Sequence, residues 1–126
     1  MPTLKVTQNN FEATVKQGIV LRDFWAAWCG PCRAFAPVFE AAAARHPEVV
    51  FGKVDVEAEP GLSDAFEIQS IPTMMVLRDG ALLALQPGAM PASALDELIR
   101  KVQALDMSDV RRRRAEQEHA VAEGGV

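Results

Sequence analysis

The sequence predicts an α/β fold, with one mixed sheet flanked by helices, and three observations carry that prediction. Short apolar runs rich in β-branched and aromatic residues alternate with stretches whose apolar positions recur every three to four residues. That is the pattern of strands joined through helices. The run Ile19 to Ala26 is nearly continuous in its apolar character, as expected of a central strand covered on both faces. Asp79-Gly80 separates two further apolar runs and is a hairpin signal, so the sheet should close antiparallel.

Taken in order, Leu4 to Val6 reads as a short strand. Thr7 then resembles an N-cap, and Phe11 and Val15 share one helical face before Gly18 ends the turn. The strand Ile19 to Ala26 follows. Beyond it, Phe35, Val38, Phe39 and Ala42 keep a helical period, so a helix should open at Cys32, carry Pro37 inside it as a kink, and stop at His46-Pro47. Val49 to Val56 is another strand, and Pro60, Gly61, Leu62 and Phe66 suggest a short helix. Thr73 to Leu77 and Ala81 to Leu85 form the two arms of the hairpin. Pro91 suits a helix start, with Leu95, Leu98, Ile99, Val102 and Leu105 as the buried stripe. The order β-α-β-α-β-α-β-β-α gives a central mixed five-stranded sheet with four helices, parallel in its first half.

The chain has 126 residues, 49% of them hydrophobic, and a formal net charge of −4. One domain is expected, long enough to bury a core without disulfide or metal staples. The acidic balance argues against a nucleic-acid binder held by phosphate contacts. No apolar run approaches the length of a membrane span. The start, MPTLKVTQNN, has neither a basic n-region nor an apolar h-region, so no secretory signal is expected. Residues 1–105 carry 9 basic and 12 acidic side chains, and residues 106–126 carry 4 and 5. The body is therefore expected to end at Leu105, with residues 106–126 as a polar, marginally helical extension. In that tail Ser108 or Asp109 could cap a helix. Arg112 and Glu116, and Arg114 and Glu118, are spaced for i,i+4 pairs in the weaker order. Acidic neighbours mask the Arg111–Arg114 run, so a solvated extension is favoured over a docking element.

Both cysteines of the chain fall in Trp28-Cys29-Gly30-Pro31-Cys32, at the junction between the central strand and its helix. A zinc site would need two further ligands, and His46 and His119 are the only histidines. A structural bridge over so small a loop would remove little chain entropy. The remaining reading is a reversible dithiol–disulfide couple. Unpaired N–H groups and the positive end of the dipole at a helix N-terminus favour a thiolate, which is the reactive species. Cys29 should be the exposed, attacking sulfur, and Cys32, one turn in, the more buried one. Pro31 loses nothing at the first helical position.

The stretch Asp23-Phe24-Trp25-Ala26-Ala27-Trp28-Cys29-Gly30-Pro31-Cys32-Arg33 resembles the active-site segment of the thioredoxin family. Pro37, Lys53-Val54-Asp55-Val56, Ser70-Ile71-Pro72-Thr73, Asp79-Gly80 and Gly88-Ala89 match in order and spacing. Together they cover residues 3–105. The resemblance implies a thioredoxin fold and a role for each matching position. Cys29 would attack a substrate disulfide and Cys32 would resolve the mixed disulfide. Asp23 would be the buried proton acceptor, and Pro72 a cis-proline facing the pair. Ile71 would offer its backbone to a bound chain, with Trp28, Gly30, Pro31, Gly88 and Ala89 as the apolar docking surface. Lys53 would be a supporting residue. The implied activity is protein-disulfide reduction with no bound cofactor and no metal, using electrons from NADPH delivered by thioredoxin reductase. Disulfide-bearing proteins would be the substrates, and the chain would be a cytoplasmic monomer.

Plainer readings compete at several positions. Asp23 could simply pair with Lys53, Pro72 could be a trans-proline ending a loop, Trp25 could be core packing, and Lys53 could solvate a strand end. Arg22 departs from the family's apolar residue at this place. Strand alternation puts it on the face opposite Asp23, where it must find its own partner or snorkel to an edge. An oxidant or isomerase would want a histidine between the cysteines, where Gly30-Pro31 stands. A binding subunit without turnover would not need the intact pair.

Overall fold

A computed structural model describes residues 3–14 and 18–124. Strands β1 (Thr3–Lys5), β2 (Ile19–Trp25), β3 (Val50–Asp55), β4 (Thr73–Arg78) and β5 (Ala81–Pro87) form one sheet in the order β1-β3-β2-β4-β5. β3 runs parallel to both β1 and β2, β4 runs antiparallel to β2, and β5 antiparallel to β4. The helices are α1 (Gly30–Arg45), α2 (Pro60–Ala65), α3 (Ala92–Gln103) and α4 (Met107–Gly124). The hairpin forms at Asp79-Gly80, both with positive φ, as the tight turn between β4 and β5 requires.

The apolar run of β2 is central because both of its faces are covered. Ile19 and Leu21 pack with Phe35, Phe39 and Ile99 under α1 and α3, and Phe39 meets Phe51 edge-on at 5.1 Å. Val20 and Phe24 turn to the other layer, with Val54, Leu62 and Met75. α1 continues through Pro37. Its C-terminal end is tied to α3, where Asp96 accepts from Arg45 and contacts His46 Nε2, each at 2.9 Å.

Three expectations change. The segment after Thr7 is not an α-helix among the described residues. It is a 3-10 turn over Glu12–Thr14, and Val15 lies outside the described residues. The Asn10 side chain explains this locally. It accepts from Thr7 N–H and donates to the Lys5 carbonyl, folding the chain into a turn. Next, α1 opens at Gly30, two residues before Cys32, with Cys29 as its N-cap. The chain after Leu105 carries a helix, α4, whose N-terminus is capped by Asp106 rather than Ser108 or Asp109. Arg112 and Arg113 pair back to Asp109, the favourable acid-before-base order, instead of forward to Glu116. The side chains of Arg114, Glu118 and His119 lie outside the described residues.

Of the two courses open to Arg22, it takes the first: it is fully buried and finds its own partners. Its guanidinium stacks 4.5 Å from the Phe11 ring centroid and donates to the Phe11 carbonyl and the Thr14 hydroxyl. Burial lowers its pKa to about 10, so it stays cationic at neutral pH. Arg22 thus ties the 3-10 turn down onto the sheet. Gly52 on β3 makes room for it. A Cβ there would meet Arg22 Cδ at 3.0 Å and Val6 Cγ2 at 2.6 Å.

Candidate active site

The site is assembled where β2 ends and α1 begins. Cys29 N-caps α1, and its sulfur accepts from Cys32 N–H at 3.2 Å, which directs an unpaired helix donor onto sulfur. The Cys29 and Cys32 sulfurs lie at disulfide-bonding distance, with Cα atoms 5.2 Å apart. Ala26 packs with the pair, and Trp25, Val56 and Ile71 close around them. This apolar surround buries both sulfurs. Cys29 is 5% and Cys32 2% exposed, so the expected contrast between an open and a covered cysteine is small in the bonded state. What opens to solvent instead is the rim around Cys29. Trp28 is 65% exposed, and Gly30, Pro31, Gly88 and Ala89 are exposed beside it.

Opposite the pair stands the loop before β4. The Ile71-Pro72 peptide is cis, and Pro72 is buried. The Ile71 carbonyl oxygen lies 3.7 Å from Cys29 Sγ. Gly88, at φ +90°, donates its N–H to the Pro72 carbonyl at 2.8 Å, holding the loop after β5 against the one before β4. A side chain at Gly88 would be strained by that conformation.

Asp23 sits on β2, two residues from Trp25, on the α1 face of the sheet. It is 1% exposed, and neither carboxyl oxygen has a hydrogen-bond partner. Burial pushes its pKa up to about 7, with the Lys53 charge pulling the other way. The two are neighbours in register across β2 and β3, yet no ion pair forms. Lys53 Nζ instead sits 4.9 Å above the Trp25 ring centroid. The plainer reading of Asp23 as one half of a salt bridge therefore fails. A buried carboxyl without partners, poised near neutral pH, can hold or release a proton. Trp25 is half-buried, with a buried indole nitrogen that finds no hydrogen-bond partner.

One participant escaped the sequence reading. Glu57, just after β3, accepts the Trp28 indole N–H and so fixes the exposed ring. Its signal was its place in the chain, two residues past a strand whose C-terminal end faces the cysteines. Chemically, the arrangement combines a dithiol–disulfide couple, a buried, unpartnered carboxyl on the same side of the sheet, and an open apolar rim. Among the described residues, no group of three or more His, Cys, Asp or Glu side chains is placed to hold a metal ion. No described helix is long and apolar enough to cross a membrane.

The family model described as Thioredoxin matches residues 2–101. A putative thioredoxin 2 of Streptomyces coelicolor is 50% identical over 117 residues, spanning 92% of this chain and 87% of its own length. The thioredoxin of Staphylococcus saprophyticus is 40% identical over 102 residues, spanning 80% of this chain and 98% of its own. Among solved structures, a Malassezia sympodialis thioredoxin, Mala s 13, superposes with a TM-score of 0.71 at 29% identity, covering 79% of this chain and 89% of that one.

Proposed function

The chain belongs to the thioredoxin family and is a thiol–disulfide oxidoreductase that reduces protein disulfides, and from that premise we propose how its residues divide the work. The observation that carries the proposal is the Cys29–Cys32 pair at the N-terminus of α1, facing the Ile71-Pro72 loop, with the unpartnered Asp23 on the α1 face of the same sheet. The reduced Cys29 thiolate attacks one sulfur of a substrate disulfide. The substrate S–S bond breaks, a mixed disulfide forms, and the departing substrate thiolate takes up a proton. Cys32 then loses its proton to Asp23 through water and attacks Cys29 Sγ, releasing the second substrate thiol. The substrate gains two electrons and two protons, and the cysteine pair is left oxidised.

Helix donors at the N-terminus of α1 favour the Cys29 thiolate. A carboxyl near neutral pKa is matched to accepting the Cys32 proton and giving it up again. Lys53 tunes that carboxyl through its charge. Ile71 offers backbone hydrogen bonds to an extended substrate segment, and Pro72 holds that backbone facing the sulfurs. Trp28, Gly30, Pro31, Gly88 and Ala89 form the apolar seat.

The family carries no bound cofactor, because the dithiol itself stores both electrons. Thioredoxin reductase, drawing on NADPH, is the proposed source of electrons, disulfide-bearing proteins the proposed acceptors, and the cytoplasm the proposed compartment for a monomer. Residues 1–105 are taken as the catalytic domain and residues 106–126 as an extension, in keeping with a family match that ends at residue 101. The test supplies NADPH and a thioredoxin reductase and follows reduction of a disulfide-bonded protein. Wild type should turn over, Cys29→Ser should not, and Cys32→Ser should accumulate mixed disulfides through Cys29. A wild type as inert as Cys29→Ser would refute the proposal.

A further inference from the structure

A cleft of about 270 Å³ adjoins the cysteine pair on the α2 side. Trp28, Val56 and Ile71 give it apolar walls continuous with the residues that pack around Cys29, and Ser63, Asp64 and Ser70 are also among its lining residues. The Ser63 hydroxyl is buried without a hydrogen-bond partner. The chain that builds this side of the site has a one-sided charge. Between Lys53 and Arg78 there are five acidic residues, Asp55, Glu57, Glu59, Asp64 and Glu67, and no Lys, Arg or His. Three of these are already engaged. Asp55 accepts from the Glu57 and Ala58 N–H groups, Glu57 holds the Trp28 indole, and Glu59 accepts from Gln8 N–H. Asp64 lines the cleft, is exposed, and its carboxylate makes no hydrogen bond or ion pair with any described residue. The other rim of the site, Gly30, Pro31, Gly88 and Ala89, bears no charge at all.

We propose that this cleft selects substrates, accepting a Lys or Arg side chain that lies one or two residues from the cysteine under attack and pairing it with Asp64. The inference rests on the exchange reaction proposed above. A substrate segment lying along the Ile71 backbone rises about 3.3 Å per residue, so a neighbour of its reactive cysteine falls over the cleft. The aliphatic stem of Lys or Arg lies against Trp28 and Ile71 while the cationic end meets the carboxylate. The surrounding negative charge also draws a basic segment toward Cys29 before contact, and that contribution weakens with salt.

The test uses the full chain, reduced, and three otherwise identical disulfide-linked peptides carrying Lys, Ala or Glu two residues from the reactive cysteine. Rate constants for disulfide exchange are measured at low and high salt. At low salt the Lys peptide should react about three- to fivefold faster than the Ala peptide, the range of a solvent-exposed ion pair, and the Glu peptide slowest. High salt should compress the series. Asp64→Asn should bring the Lys-to-Ala ratio close to one, whereas Glu97→Gln, which removes the same charge on distant α3, should retain it. Equal rates for the three peptides overturn the proposal. So does a ratio undiminished in Asp64→Asn, or one lost equally in Glu97→Gln. A chain that reacts with none of the three refutes the exchange reaction itself, which separates that failure from a mistaken reading of the cleft.

Discussion

Replacing Asp23 by Asn should change how stability depends on pH, and the size of that change follows from the burial of the carboxyl. Folded, the group titrates at about 7, whereas its ordinary value is 3.8. Between these values the folded protein keeps a proton that the unfolded chain has lost. Wild-type stability therefore falls as pH rises through the window and levels off above it. About three pK units at 1.36 kcal/mol each give a full penalty of about 4 kcal/mol for the ionised form. Asn carries no such penalty. The Asn variant should thus gain on wild type by about 3 kcal/mol between about pH 5 and about pH 9. Urea unfolding of both proteins across that range, with the disulfide kept closed so that neither cysteine titrates, reads the difference directly. The unpartnered amide adds an offset that does not vary with pH, so the slope is the quantity that matters. A difference that stays flat, or that narrows as pH rises, would refute the reasoning.

Other substitutions probe the architecture around the site. Arg22→Met should stay within about 1 kcal/mol of wild type, because an apolar side chain of similar length avoids the desolvation of a buried cation. Arg22→Ala should lose about 2–4 kcal/mol by leaving a cavity. Urea midpoints compare the two, and a Met variant as unstable as Ala would show that the guanidinium itself is indispensable. Gly52→Ala places a Cβ 2.6 Å from Val6 Cγ2. It should cost about 1–3 kcal/mol, read as a lower melting temperature, and Val6→Ala in the same chain should restore part of it. Asp106→Ala removes the acceptor for the Ser108 and Asp109 N–H groups. It should weaken the start of α4 by about 1 kcal/mol, seen as faster amide exchange at residues 108–111. Unchanged exchange there would refute the cap.

The order of elements along the chain, the closing hairpin and the place of the cysteines were legible because each rests on local sequence. The apolar run of β2, the Asp79-Gly80 turn and the helical period after Cys32 all act within a few residues. What was illegible depends on meetings across the chain. Arg22 looked unexplained in its strand because its partners, Phe11 and Thr14, belong to a turn in another layer. That turn was itself misread as a helix. Phe11 and Val15 fit a helical face, but the Asn10 side chain competes for the backbone. Glu57 was silent until Trp28 was seen against it. The environment of Asp23 lay between these extremes. Its apolar flanks foretold burial, but only the fold shows Lys53 resting over Trp25 instead of joining the carboxyl.

The position of β2 has a dynamic consequence. Asp23 lies on a strand bonded on one side to β3 and on the other to β4, so its backbone is released only when the sheet comes apart. Trp28, Gly88 and Ala89 sit on exposed loops, where small local openings suffice. Amide hydrogen exchange should accordingly be slowest at Leu21–Phe24 and fast at Ala27–Trp28 and at Ala89. The protein thus keeps the proposed proton acceptor on a part that does not yield and sets the proposed docking rim on parts that do. Accommodating a substrate of unfamiliar contour need not disturb the buried acid to which the proposed mechanism assigns the proton.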